Sequence, residues 1–276
     1  MNFNSDEGRK SPAFLLPLHK PSSADGKYNI YPTYNLPENQ LYTGFESLAR
    51  IFSEYQIIII EGYAGVFYEV FREGVDRLLK KSGKKTAWTD VSRFLRPSQE
   101  IDDLIAPYLG GDDPVFGRRT DLELSDFFLI EKIKNLKPDP EADINLIYGP
   151  GSSLPGWNGL LVYIDLPKNE IQFRSRAGSI LNIGANAPAD PKSMYKRFFF
   201  VDWIVLNRHR KSFQHKIDIF VDGQRQNNPV WITGENLRSA LYDISRNTIR
   251  VRPWFEPGTW GGTWIKDNID GLNMDV

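Results

Sequence analysis

The run QIIIIEG at 56–62 carries four consecutive isoleucines. A strand apolar on both faces is buried on both, as in a parallel sheet covered by helices. After a turn that carries Gly65 comes VFYEVFREGVDRLLKK, with Val66, Phe67, Val70, Phe71, Val75, Leu78 and Leu79 at helical spacing. This helix is expected to close on Lys80, Lys81 and Gly83, a basic last turn before a capping glycine. Strand, glycine turn and helix open a βαβ unit. Upstream, Phe45, Leu48, Ala49 and Phe52 predict a short helix. Downstream, the pattern predicts strands at 85–91, 144–149, 160–167 and 216–222. It predicts helices at 121–136, from 169 onward, over 192–213 with an interruption near Val201–Asp202, and at 235–245. Strands alternating with helices predict an α/β fold: an open sheet of about five parallel strands in three layers, with 57–60 and 161–164 central.

Two ends depart from this pattern. In residues 1–40, Pro12, Pro17, Pro21, Pro32 and Pro37 deny any long helix. An extended arm is expected there, held to the body by Phe14, Leu15, Leu16 and Tyr31. Residues 250–276 are rich in Trp, Gly and Pro and read as the start of something else, with at least one of Trp254, Trp260 and Trp264 left partly uncovered. The globular body is therefore expected at 41–249.

Composition narrows the chemistry. The 34 Lys and Arg against 35 Asp and Glu give a formal charge of −1, which removes the electrostatic case for a nucleic-acid binder. With no cysteine there is no disulfide, thiolate zinc site or cysteine nucleophile. Only His19, His209 and His215 are present, and His209 sits among cations in NRHRK, so no metal site is expected in this chain. The start lacks an apolar signal core and no run is long enough to span a membrane, so a cytoplasmic protein without membrane contact is expected.

The candidate anion site is the turn Gly62-Tyr63-Ala64-Gly65, where a strand would deliver backbone N–H groups and a helix N-terminus to a phosphate. Tyr68 and Glu69 stand where a P-loop has Lys and Ser/Thr, and Phe67 replaces its last glycine. Glu69 could instead satisfy the free N–H groups of the helix, and a tight turn that binds nothing is the other reading. Gly149-Pro150-Gly151-Ser152-Ser153 reads as a plain turn or a second anion-facing loop.

With these substitutions the chain over 41–248 resembles the uridine-kinase-like branch of the P-loop kinases. TAWTDVSRFLRP places Asp90, Arg93 and Phe94 where that family has its catalytic base and acceptor loop. LLVYIDLPKNEIQFRSRAG places Asp165, Arg174 and Arg176 where it has a strand end and lid arginines. The resemblance implies anion binding by Gly62–Gly65, Arg93, Arg174 and Arg176. Asp90 would be the base only if the module is an active phosphotransferase, and the missing Lys and hydroxyl argue against ATP with Mg²⁺. FEPGTWGGTW at 255–264 is similar to the opening of class I mannose-6-phosphate isomerases, zinc-dependent cupin enzymes. The whole resembles the N-terminal part of long bacterial proteins that join a kinase-like domain to such an isomerase. That implies a cupin partner domain downstream, holding the zinc. This chain would then be a degenerate module that binds a phosphorylated sugar or nucleotide, or serves as a scaffold.

Overall fold

A computed structural model describes residues 8–11, 15, 36–38, 40–113, 116–247 and 268. The expectations for Phe14, Leu16, Tyr31 and the three C-terminal tryptophans lie outside those residues. In chain order the elements are β1 (Leu41–Thr43), α1 (Phe45–Phe52), β2 (Ile57–Gly62), α2 (Tyr68–Lys81), β3 (Thr86–Asp90), α3 (Ser98–Ile105), α4 (Ile130–Lys134) and β4 (Ile144–Tyr148). They continue with β5 (Leu160–Asp165), α5 (Lys168–Arg176), α6 (Pro191–Arg197), α7 (Trp203–Phe213), β6 (Ile219–Asp222), β7 (Val230–Thr233) and α8 (Gly234–Ser245).

The seven strands form one sheet in the order β1-β7-β6-β5-β2-β4-β3. From β3 to β6 every pairing is parallel, and β2 lies at the centre of those five strands. The register sets Ile59 beside Ile147 and Leu161. Side chains alternate along β2. Ile58 and Ile60 join the core under α1 and α2 with Phe52, Phe71 and Leu79, while Ile59 meets Phe213 of α7 on the other face. Burial on both faces is what the isoleucine run predicts. The sheet therefore has helices on both sides.

Two features differ from the sequence expectation, and a third gives an expected interruption its form. The sheet is extended by β7 and β1, both antiparallel, and β1 and β7 are only 3 and 4 residues long. The helix expected over 121–136 is broken into a 3-10 turn at Leu124–Phe127 and the short α4. Between them Phe128 is extended, bridging Leu95, and Leu129 N–H donates to Phe94 O. Pairing with the 94–96 backbone competes with the helix there and buries Phe127 and Phe128 together. Finally, the interruption near Val201–Asp202 is a π-helical turn over Phe198–Asp202 joining α6 to α7. Among the described residues no helix is long and apolar enough to cross a membrane.

Candidate functional site

In open parallel sheets ligands bind beyond the carboxyl ends of the strands. Here those ends carry Gly62 and its turn on β2, Asp90 on β3, Gly149 after β4, Asp165 on β5 and Asp222 on β6.

The turn after β2 is filled by the protein itself. A Cβ on Gly62 would stand 2.4 Å from the Tyr68 hydroxyl and 2.7 Å from Ile164 O. The glycine is thus required by a tyrosine and by the neighbouring strand, with no phosphate needed to explain it. The Tyr68 hydroxyl is buried without a hydrogen-bond partner, and burial holds the phenol well above its usual pKa. Tyr63 and Ala64 are buried, Tyr63 N–H donates to Ile164 O, and Gly65 turns the chain at φ +82°.

Arg174, expected to face a ligand, is buried at 1% exposure. Its guanidinium donates to Gly65 O at 2.8 Å, to Gly223 O at 2.9 Å and to Gln224 O at 3.4 Å, and it stacks over Phe67 at 4.1 Å. It therefore stitches the turn after β2 to the turn after β6. Burial draws its pKa down, opposed by Glu170, one helical turn away on α5. Glu170 in turn accepts a bidentate fork from Arg9 at 3.0 Å, which ties the arm to α5, and Lys10 N–H donates to Phe173 O. The arm is thus anchored by a buried charge cluster in addition to any apolar contact.

The other predicted residues scatter. Asp90 ends β3, separated from β2 by β4 and so by about 10 Å. Its carboxylate accepts from Ser92 N–H at 2.9 Å and Ser92 Oγ at 2.8 Å. Arg93 is exposed on the following 3-10 turn. Glu69 does not cap α2, as the sequence reading allowed. Its carboxylate accepts from Arg72 Nε at 2.7 Å and from the Tyr148 hydroxyl. Burial raises Glu69, but these two bonds outweigh it and leave it below the usual carboxylate range. Arg176 is exposed and points away from the turn, over Phe173 at 5.8 Å and into a groove beside α6. The structure thus brings Arg174 to the glycine turn, as a filler, and leaves Asp90 two strands away; Arg93 and Arg176 are exposed, with the Arg93 charge acting on Glu69.

One cluster escaped the sequence reading. Glu61, the last side chain of β2 before Gly62, is 1% exposed and accepts from Gly151 N–H, Ser153 N–H, Ser153 Oγ at 2.7 Å and His209 Nε2 at 2.8 Å. Burial pushes its carboxyl up, yet the bond and charge of His209 and the bonds from Ser153 outweigh burial and leave it lowered. The 149–153 loop therefore spends its inward N–H groups on an internal anion. Nor is this a nucleophilic triad. Ser153 Oγ donates to the acid, and the same His209 nitrogen faces both partners, so the imidazole is not interposed between acid and hydroxyl.

The hollow beside the turn, lined by Phe67, Ile164, Asp222 and Arg225, holds about 20 Å³, room for one water. Sites for nucleotide-sized ligands need roughly 300–1,000 Å³. Among the described residues no group of three or more His, Cys, Asp or Glu is placed to hold a metal. A sequence profile of a family described as a domain of unknown function (DUF8485) matches residues 44–246. No curated protein matches the chain.

Proposed function

The chain belongs to the DUF8485 family, and we propose that it is a kinase-like module that does not transfer phosphate. The observation carrying this reading is the glycine turn at the centre of the parallel sheet, occupied by Tyr68 against Gly62 and by Arg174 on Gly65 O. Strand, turn and helix support descent from a phosphate-binding design, and the occupants support its loss. Phosphoryl transfer depends on positioned positive charge. Removing one transition-state donor typically costs about 10²–10³ in rate. Here tyrosine and glutamate replace both the lysine and the Mg²⁺-binding hydroxyl.

The module's role is then binding or scaffolding. On the WGG segment alone we place it beside a mannose-6-phosphate-isomerase-like cupin, with any zinc held there. The coding sequence past codon 276 tests that placement: cupin strands bearing a Gln/His/Glu/His set support it, and a stop codon removes it. The non-catalytic reading is tested by calorimetry with ATP, UTP and mannose 6-phosphate beside a kinase assay with uridine and sugar acceptors. No turnover is expected. Sustained transfer abolished by Asp90→Asn would overturn it in favour of an active phosphotransferase with Asp90 as base.

A further inference from the structure

A cavity of about 810 Å³ lies away from the glycine turn, between α5, α6 and the π-helical turn. Arg210 of α7 reaches Asp165 at 3.3 Å while Phe213 packs on Tyr163. Trp203, seven residues before Arg210, therefore stands about 10 Å further along the helix axis, on the carboxyl-end side of the sheet. The groove sits beside that end of the helix.

Its wall is a single stripe. Lys192, Tyr195, Lys196 and Phe199 follow at helical spacing, and Arg176 faces them from α5. Tyr195 and Phe199 are 42% and 47% exposed, with their rings near-parallel at 29° and 6.3 Å apart. The π-helical turn sets this up. It buries Phe198 and Val201, leaves Phe199 outside, and turns Phe200 onto Gly117, where Thr120 N–H takes the Phe200 carbonyl at 2.9 Å. π-helical turns of this sort are frequent at functional sites.

The charges complete the specification. Three cations and no carboxylate are among the described residues lining the groove. Lys196 donates to Gly111 O at 3.3 Å and to Asp113 O. The Lys192 ammonium and the Arg176 guanidinium make no hydrogen bond to another described residue. Asp190 caps α6 through Lys192 N–H and Ser193 N–H, and the Lys192 charge also acts on it. Asp112, Asp113 and Asp190 line the adjoining hollow, which shares Lys192 and Lys196 with the groove.

We propose that this groove binds a planar aromatic anion, a ring system of about nucleotide size carrying a phosphate, sulfonate or carboxylate. The ring lies on Tyr195 and Phe199, and the acid faces Arg176 and Lys192. A pair of exposed, near-parallel aromatic rings accepts a flat ring by stacking, the cations select its charge, and the volume falls within the range of small-molecule pockets. The site stands independently of the non-catalytic reading, since it shares no residue with the glycine turn.

The test uses the whole chain and a fluorescent probe of that chemistry, 1-anilinonaphthalene-8-sulfonate, beside its uncharged relative N-phenyl-1-naphthylamine and inorganic phosphate. Saturable one-to-one binding of the sulfonate is expected. The double variant R176E/K192E should weaken it by about tenfold or more, whereas K211E, on the exposed surface of α7, should not. F199A should weaken both dyes, and charge reversal only the anionic one. Phosphate alone should not saturate. Near-UV circular dichroism distinguishes loss of the site from loss of the fold. Non-saturating fluorescence, or an affinity indifferent to F199A and to charge reversal in folded protein, would overturn the proposal. So would sedimentation showing a dimer that F199A dissociates, because the stripe would then be a contact between copies. A kinase assay of either outcome would leave this result unmoved.

Discussion

At the scale of single residues, two arginines two positions apart have opposite roles. Arg174 is buried and saturates three carbonyls and Glu170, whereas Arg176 is exposed. Breaking one partner of a buried ionic group typically costs about 3–5 kcal/mol. Arg174→Met should therefore lower the unfolding free energy in urea by about 3 kcal/mol, and Arg176→Ala by under about 0.5 kcal/mol. Equal effects would contradict the assignment. Glu61 adds a pH dependence. Its folded pKa lies below the reference 4.5, so folding favours the ionised form. That contribution is complete above the unfolded value and drains away as pH falls through the lower folded one. Glu61→Gln should cost about 2 kcal/mol at pH 7, with the gap to wild type narrowing below about pH 4.5 in parallel denaturation series. The sequence contained a hint of this cluster, because a carboxylate ending an all-apolar buried strand must find partners. It could not name them, since Ser153 and His209 lie 92 and 148 residues away in the chain. The neighbours Arg208 and Arg210 place His209 among cations in the sequence. Helix geometry turns its ring inward to Glu61 and Phe213.

Among the elements, α5 holds the arm through Glu170 and Phe173 and both turns through Arg174. Arg9→Ala should therefore raise amide hydrogen exchange across 168–176 while leaving β2 and β4 protected. Arg9→Lys should restore little of it, because an ammonium cannot supply the two-pronged fork. Unchanged exchange in α5 would show the tether to be idle. The parallel strands were legible because burial on both faces writes continuous apolar runs, as in Ile57–Ile60 and Leu160–Ile164. β1 and β7 were not, since three or four residues hold too little alternation to show a period. The 121–136 segment misled for a different reason. Its apolar spacing is helical, but Phe128 and Leu129 find backbone partners across the fold that a helix would forfeit.

For the molecule as a whole, the filled turn bears on what evolution could do next. Tyr68 against Gly62 at one end of the turn, and Gly65, Arg174, Glu170 and Arg9 in sequence from its other end, hold the turn shut. Replacing one alone leaves a clash at Gly62, a void at Tyr68, or an unmet charge within the Arg174, Glu170 and Arg9 cluster. The double variant Y68K/E69S should therefore gain no ATP affinity by calorimetry, since Arg174 still occupies the Gly65 carbonyl and the new lysine would enter beside an existing cation. Measurable MgATP binding by that double variant would disprove this. If it holds, a phosphate could enter this turn only in sequences that have already given up the Tyr68 and Arg174 packing, each such step costing stability before any binding is gained. Descendants of this chain remain free to elaborate other surfaces, while this turn stays committed to holding the fold together.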